Sequence, residues 1–273
     1  MTTIIAHRGA RSIAPENTIA AAKKAFELGA DLWETDVAVT KDEHLILFHD
    51  DSLERTTNVK KVFPSDTNLT FTEYTLEQIK KLDTGSRYIA TDPFGEIKKG
   101  NLTKEELLSF KAEKIPTLEE ALLFTKEKLW KVNLELKKLP QRFKDYPVPE
   151  KVIAIIRDIG INKAQIIVSS FNHDWLQSVH DMEPEIEIQA LIGYSFTDPL
   201  KWGDYSFETY NARSTLIDEK QIKTARKKGR KINLFTVNNI QEMENFIEQG
   251  VDGIITDYPQ RLRNLVRKEL EKK

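Results

Sequence analysis

Apolar runs of four to eight residues alternate with helical patterns along nearly the whole chain, and this alternation is what most restricts its fold. Strand candidates are Thr3–His7, Leu32–Asp36, Lys131–Lys137, Gln165–Ser170, Ile186–Ile192, Thr209–Ser214, Lys231–Val237 and Gly253–Thr256. The clearest helix candidates between and after them are Thr18–Leu28, Pro149–Ile159, Asp174–Asp181, Asp218–Lys228, Ile240–Gln249 and Gln260–Leu270. Gly29, Gly160, Gly229 and Gly250 stand where such helices should end. Strand–helix alternation is the mark of a parallel α/β fold. Eight strands in this order predict a closed (β/α)8 TIM barrel rather than an open sheet, with residues 1–273 as one domain.

A ninth apolar run, Leu45–His49, does not fit that count. Only Thr40 to His44 separates it from the second strand, and a parallel crossover needs about a dozen residues. The run must therefore return as an antiparallel hairpin. With the turn centred on Asp42 and Glu43, His49 falls opposite Asp36, and a bulge would shift that register by one residue. Residues 52–114 then form an irregular insertion after the second strand, with a helix near Thr75–Leu82. A structureless loop of that length is uncommon, so a small lid-like subdomain is expected. Thr117 caps the next helix, Thr117–Lys128.

The 41 basic and 43 acidic residues nearly cancel, to a net charge of -2, which gives no support to nucleic-acid or anionic-membrane binding. The absence of cysteine excludes disulfides, thiolate metal sites and a cysteine nucleophile, and fits a reducing compartment. No stretch approaches the roughly 18 apolar residues that span a bilayer, so no stable membrane insertion is expected. The first apolar run begins at Thr3 and leaves no room for a signal peptide; the expected location is cytoplasmic. The basic end, Arg261 to Lys273, reads as a closing amphipathic helix, with a membrane-surface role as the alternative. Nothing in the sequence sets an oligomeric state.

Polar groups gather where the strands should stop, the position of catalytic groups on parallel strands. Glu34 and Asp36 lie two apart on one strand and point the same way; Glu135 and Lys137 repeat that spacing on the next barrel strand. Three converging carboxylates repel one another unless a cation lies between them. A single hard divalent ion, Mg2+ or Ca2+ with Mn2+ as a third candidate, suits oxygen ligands. The plainer reading is a solvated strand end with ordinary ion pairs. Arg8 and Lys137 add the fixed positive charge of a phosphate site, though Arg8 could simply pair with Glu34 or Asp36. His7 and His49 titrate near neutrality, and a pair flanking a phosphodiester can serve as general base and general acid. His44 reads as solvated in the hairpin turn, and His173 and His180 as minor candidates for substrate contact. Asp257 reads as the organiser of the turn after the last strand.

His7-Arg8-Gly9, Ala14 to Thr18, Glu34-Thr35-Asp36-Val37, Thr40-Lys41-Asp42 and Phe48-His49-Asp50 together resemble the glycerophosphodiester phosphodiesterases. The resemblance continues through Arg55-Thr56-Thr57, Ile115 to Ala121, Asn133 to Lys137, Ser169-Ser170-Phe171, Thr236-Val237-Asn238 and Gly250 to Pro259. It implies metal ligands at Glu34, Asp36 and Glu135, acid–base histidines at His7 and His49, and phosphate contacts from Arg8 and Lys137. Phe171 and Phe235 become candidates for the substrate wall; Phe235 stands where the family usually has tryptophan. The segment between Asp83 and Ile115 is longer and more charged than is common in the family.

The implied activity is metal-dependent hydrolysis of a small-molecule glycerophosphodiester to sn-glycerol 3-phosphate and an alcohol. A glycerol hydroxyl would attack the phosphorus and give a cyclic phosphate that water opens, or water would attack directly. A lysophospholipase D reading would need an apolar path, with Phe63, Phe71, Tyr74, Phe94 and Phe235 as candidates. A noncatalytic phosphodiester-binding protein is a third reading, although such a protein would be free to lose the histidines or acids retained here. Lys137 could also form a Schiff base, a reading that the neighbouring acids disfavour.

Overall fold

The computed structural model describes residues 1–271. Lys272 and Lys273, the tip of the basic end, lie outside the described residues.

Among the described residues, nine strands form one sheet: β1 (Thr3–Ala6), β2 (Leu32–Val39), β3 (Leu45–Leu47), β4 (Val132–Leu136), β5 (Ile166–Ser170), β6 (Glu187–Ile192), β7 (Thr209–Arg213), β8 (Lys231–Phe235) and β9 (Gly253–Thr256). All neighbours pair in parallel except β2 and β3. Ile5 of β1 lies beside both Leu32 of β2 and Ile255 of β9, so the sheet closes on itself. With β3 set aside as a hairpin arm, the eight remaining strands make the expected TIM barrel. Ile5, Leu32, Ile167 and Ile255 meet inside the barrel as a dry plug, and Phe235 packs on it. Strand alternation then dictates what lies toward the mouth: His7 two residues after Ile5, Glu34 and Asp36 after Leu32, and Asp257 after Ile255.

The outer layer is α1 (Ile19–Glu27), α6 (Leu118–Glu127), α7 (Val148–Ile159), α8 (His173–Met182), α9 (Glu219–Lys227), α10 (Ile240–Glu248) and α11 (Pro259–Glu271). Side chains cap most of their starts, although α7 begins after Pro147 with no such cap. Thr18 accepts from the Ala21 amide, while Thr117 with Glu120 and Asp218 with Gln221 close reciprocal capping boxes. Among the described residues, no helix is long and apolar enough to cross a membrane.

Three features depart from the sequence reading. The hairpin register pairs Val37 with Leu47 and Val39 with Leu45, so Phe48, not His49, stands opposite Asp36, and its amide donates to the Asp36 carbonyl at 3.0 Å. The loop is one residue shorter than a turn centred between Asp42 and Glu43 requires. The Glu43 amide closes a turn onto the Thr40 carbonyl, and Glu43 itself takes a left-handed φ of 66° before His44 pairs with Thr40. That is a three-residue hairpin loop with its left-handed position filled by Glu.

The second departure is from the strand–helix alternation itself, not from any helix placed in the sequence: the connection from β6 to β7, residues 193–208, contains no helix. Ser195 accepts from the amides of Thr197 and Asp198, forming a turn. Trp202, Tyr205 and Phe207 then pack around Tyr210 by tilted and edge-to-face contacts, with Trp202 stacked on Tyr205.

Third, the insertion contains α2 (Val59–Val62), α3 (Leu76–Lys81), α4 (Gly85–Thr91) and α5 (Lys104–Phe110), and only α3 had been expected. A Cβ at Gly85 would lie 1.6 Å from the Phe110 carbonyl oxygen, so only glycine lets α4 start this close to the end of α5. Phe71 and Tyr74 are buried, and Phe63 packs on Tyr74 with centroids 5.3 Å apart. These three aromatics belong to the core, not to an open path leading through Phe94 to Phe235.

Candidate active site

The inward faces of β2 and β4 bring Glu34, Asp36 and Glu135 together, with one oxygen of each within 4.8 Å of the others. Asp36 and Glu135 are direct neighbours across the strand pair. Their surroundings treat them unequally. Burial alone would raise the Asp36 carboxyl. Lys137 at 3.6 Å, Arg8 at 3.4 Å, His49 and the Asn17 amide outweigh it and hold Asp36 well below the usual carboxylate range. Glu135 is pushed up to about 7 by burial and by the Asp36 charge, against the pull of Lys137 and Arg8. Glu34 is also pushed well up, by burial and then by repulsion from Asp36 and Glu135. One Glu34 oxygen accepts from the Arg8 amide at 2.9 Å, while the other is buried without a partner.

An orphaned buried carboxylate oxygen is costly unless something binds it. Two carboxyls resist ionisation beside a third that is fully ionised, and all present hard oxygen donors to one point. This donor set fits a divalent cation, and Glu34, Asp36 and Glu135 are the residues that could hold it.

The two histidines lie beside this cluster, each backed by a carboxylate: His7 adjoins Arg8, whose amide binds Glu34, and His49 adjoins Asp36. His7 Nδ1 lies 2.6 Å from Asp257 Oδ1, and the other Asp257 oxygen accepts from Asn238 Nδ2 at 2.7 Å. Burial and then the neighbouring Arg8 charge lower His7 to about 4, although Asp257 pulls the other way. Asp257 itself is held at about 2: burial raises it, but His7, Arg11 and Asn238 outweigh that. His49 Nδ1 lies 2.7 Å from Asp50 Oδ1, and Arg55 grips both Asp50 oxygens, at 2.5 and 3.0 Å. With Nδ1 engaged, each ring has Nε2 free for chemistry.

The outer partners converge on Glu16, which binds Arg8 at 2.9 Å, Arg11 at 2.7 Å and Arg55 at 2.6 and 2.9 Å. Burial opposes ionisation there, but the three guanidiniums hold the carboxyl well below its ordinary range. Arg11 also approaches Asp257 to 3.6 Å. A continuous charged chain therefore runs from His7 through Asp257, Arg11, Glu16, Arg55 and Asp50 to His49.

Lys137 donates to the His49 carbonyl at 2.7 Å and faces Asp36, so it tethers the hairpin return to β4. Phe171 and Phe235 make an edge-to-face pair with centroids 6.0 Å apart at the mouth. His44 is exposed beside Asp42, and His173 Nε2 hydrogen-bonds the Leu191 carbonyl, a structural engagement. The chain-end residue Asp257 does more than shape a turn: it lies inward on the extension of β9, beside His7. Asn17, Glu16 and Arg55 also support the site, although their contacts depend on loop paths that strand spacing does not reveal.

A family model for the glycerophosphoryl diester phosphodiesterase family matches residues 7–261. The chain belongs to that family. It is 39% identical over 272 residues to a glycerophosphodiester phosphodiesterase of Caldanaerobacter subterraneus subsp. tengcongensis, covering 98% of each chain. Among solved structures, an Oleispira antarctica phosphodiesterase in complex with the product sn-glycerol-3-phosphate is 26% identical with a TM-score of 0.74, over 98% of this chain and 97% of that one. The Agrobacterium tumefaciens glycerophosphodiester phosphodiesterase is 25% identical with a TM-score of 0.71, over 97% of this chain and 100% of that one. Family membership makes the protein a phosphodiesterase.

Proposed function

We infer that the protein hydrolyses small water-soluble glycerophosphodiesters to sn-glycerol 3-phosphate and an alcohol, using a divalent cation at Glu34, Asp36 and Glu135 and acid–base catalysis by His7 and His49. The observation that carries this reading is two carboxylate-backed histidines flanking one three-acid cluster. The sn-glycerol-3-phosphate bound to the Oleispira antarctica relative supports the same substrate class.

A cation at the three acids supplies charge that draws electrons from the phosphate and eases loss of a hydroxyl proton. His7 suits the base. Its Nδ1–H donates to Asp257, and burial beside Arg8 keeps the ring neutral, so the Nε2 lone pair accepts the proton of the attacking hydroxyl. His49 then gives its Nε2 proton to the alcohol oxygen as the bond from phosphorus to that oxygen breaks and the bond to the attacking oxygen, from water or the substrate's glycerol hydroxyl, forms; in the second case water opens the cyclic phosphate with the two histidine roles reversed. Asp50, fixed by Arg55, balances the charge of protonated His49. Arg8 and Lys137 stand beside Asp36 and present positive charge to the phosphoryl oxygens. Residues 52–114 act as a lid-like insertion beside the mouth of a single barrel domain.

The test is turnover of a glycerophosphodiester mixture with Mg2+, Ca2+, Mn2+ or excess EDTA. EDTA should abolish turnover, and His7→Ala or His49→Ala should lower kcat by about 10²-fold or more. Full activity in EDTA would remove the metal from the mechanism; full activity in either variant would remove that histidine.

A further inference from the structure

Arg213 ends β7 on the inward-facing set that includes Asn211, so its side chain enters the barrel mouth. In the closed ring β7 lies diametrically opposite β2, which provides Glu34 and Asp36. Arg8, Arg11 and Arg55 at the same mouth all have carboxylates within 4.0 Å; among the described residues Arg213 has none.

Its position is nevertheless fixed. Nε donates to the Gly193 carbonyl at 2.5 Å and Nη2 to the Tyr194 carbonyl at 3.3 Å. The guanidinium carbon lies 4.1 Å from the Phe196 ring centroid and 5.2 Å from that of Phe235. Gly193 permits the close approach: its φ is +88°, and a Cβ there would stand 2.7 Å from the Arg213 Cβ. Of the five N–H donors of a guanidinium, two have protein partners, which leaves three to offer. A half-buried, positioned and uncompensated guanidinium suits a carboxylate or phosphate ligand.

We propose that Arg213 selects the leaving alcohol by binding an acidic group on it, a carboxylate or a second phosphate; this assignment rests on the hydrolytic reading above. In-line displacement sets the attacking and leaving oxygens on opposite sides of the phosphorus. The leaving oxygen meets His49 beside Asp36, and a head group that extends from it across the mouth meets β7, the strand opposite β2 in the ring. The same arrangement disfavours choline and ethanolamine, because Arg213 already occupies the aromatic faces that would bind a cationic head group.

Two substrate pairs isolate the acidic group. Glycerophosphoserine differs from glycerophosphoethanolamine by one carboxylate, and phosphorylated bis(glycero)phosphate differs from bis(glycero)phosphate by one phosphate. Wild-type kcat/KM should favour the acidic member of at least one pair by about tenfold to a hundredfold. The pair that responds identifies the acid. Arg213→Gln should bring that ratio close to one, mainly through KM, and Arg213→Lys should retain part of it. A wild-type ratio near or below one in both pairs would overturn the proposal without any variant. So would an unchanged ratio in folded Arg213→Gln. Absence of hydrolysis for all four diesters would instead sink the hydrolytic reading, and this proposal with it.

Discussion

At His7 the decisive neighbour is Asp257. Its two oxygens are divided between His7 Nδ1 and Asn238 Nδ2. An asparagine at 257 would keep its carbonyl on Asn238 and turn an N–H toward His7 Nδ1. The ring would then accept at Nδ1 and present Nε2–H, the wrong form for a base. Asp257→Asn should therefore lower kcat by about 10²- to 10⁴-fold, with little change in KM. Activity within threefold of wild type would refute the positioning role. That Glu34, Asp36 and Glu135 converge was readable from the sequence, because alternation sends them to one side, next to the strand end that bears His7 and Arg8. Asp257 was not. Its partnership with His7 spans 250 positions and exists only because β9 closes against β1.

The short segment from Pro15 to Thr18, between β1 and α1, shows how one element supports several groups. Glu16 gathers three arginines, and Thr18 caps α1. Asn17 donates from Nδ2 to Asp36 Oδ2 at 2.9 Å and accepts from Thr35 Oγ1 at 2.8 Å. It does so with a φ of 55°, a left-handed conformation that asparagine tolerates better than most residues. Asn17→Ala loses the amide and adds backbone strain. Asn17→Gly loses the amide without the strain. Both variants should need about tenfold to a hundredfold more metal for half-maximal activity, because partners that orient a ligand are worth that much. Only Asn17→Ala should also lose about 1 kcal/mol from strain, read as the difference in stability between the two. Wild-type metal dependence in both would show that the amide does not orient Asp36. Other elements vary in how plainly the sequence shows them. The five-residue gap at Thr40–His44 forced an antiparallel hairpin, and one was found. Its register was missed by one residue because Glu43 adopts a left-handed conformation that its identity does not advertise. Helix α5 was legible in principle, since Thr103 and Glu106 form a capping box, but its polar surface hid it in a charged stretch. No helix candidate follows β6 in the sequence and none forms; the aromatics that pack around Tyr210 there are visible only in three dimensions.

At the scale of the whole molecule, metal binding, protonation and stability are one linked equilibrium. Glu135 is raised from an ordinary value of 4.5 to about 7 in the folded protein. Between those pH values the metal-free folded state binds more protons than the unfolded chain, so this group makes stability fall as pH rises. His7 acts in the opposite sense. Its folded value of about 4 lies below the ordinary 6.5, so its contribution is complete above pH 6.5 and is lost as pH falls toward 4. The two slopes overlap and oppose each other, and the pH profile of the metal-free protein cannot separate them. A cation can, because it replaces the protons on the acid cluster and does not touch His7. The difference in Tm between metal-loaded and chelated protein should be small at pH 5 and grow through pH 7.5. At a metal concentration of about 100 times Kd it should reach about 5 °C or more, from roughly 2.7 kcal/mol of binding linkage. In Glu135→Gln the part of this difference that grows through pH 7 should shrink, since one of the two raised carboxyls that exchange a proton for the metal is gone. Thermal melts of both proteins at matched pH, with Ca2+ or Mg2+ and with EDTA, decide the matter. A metal-induced shift that is constant from pH 5 to 7.5 would mean that the ion binds elsewhere, or that the acids are already ionised without it.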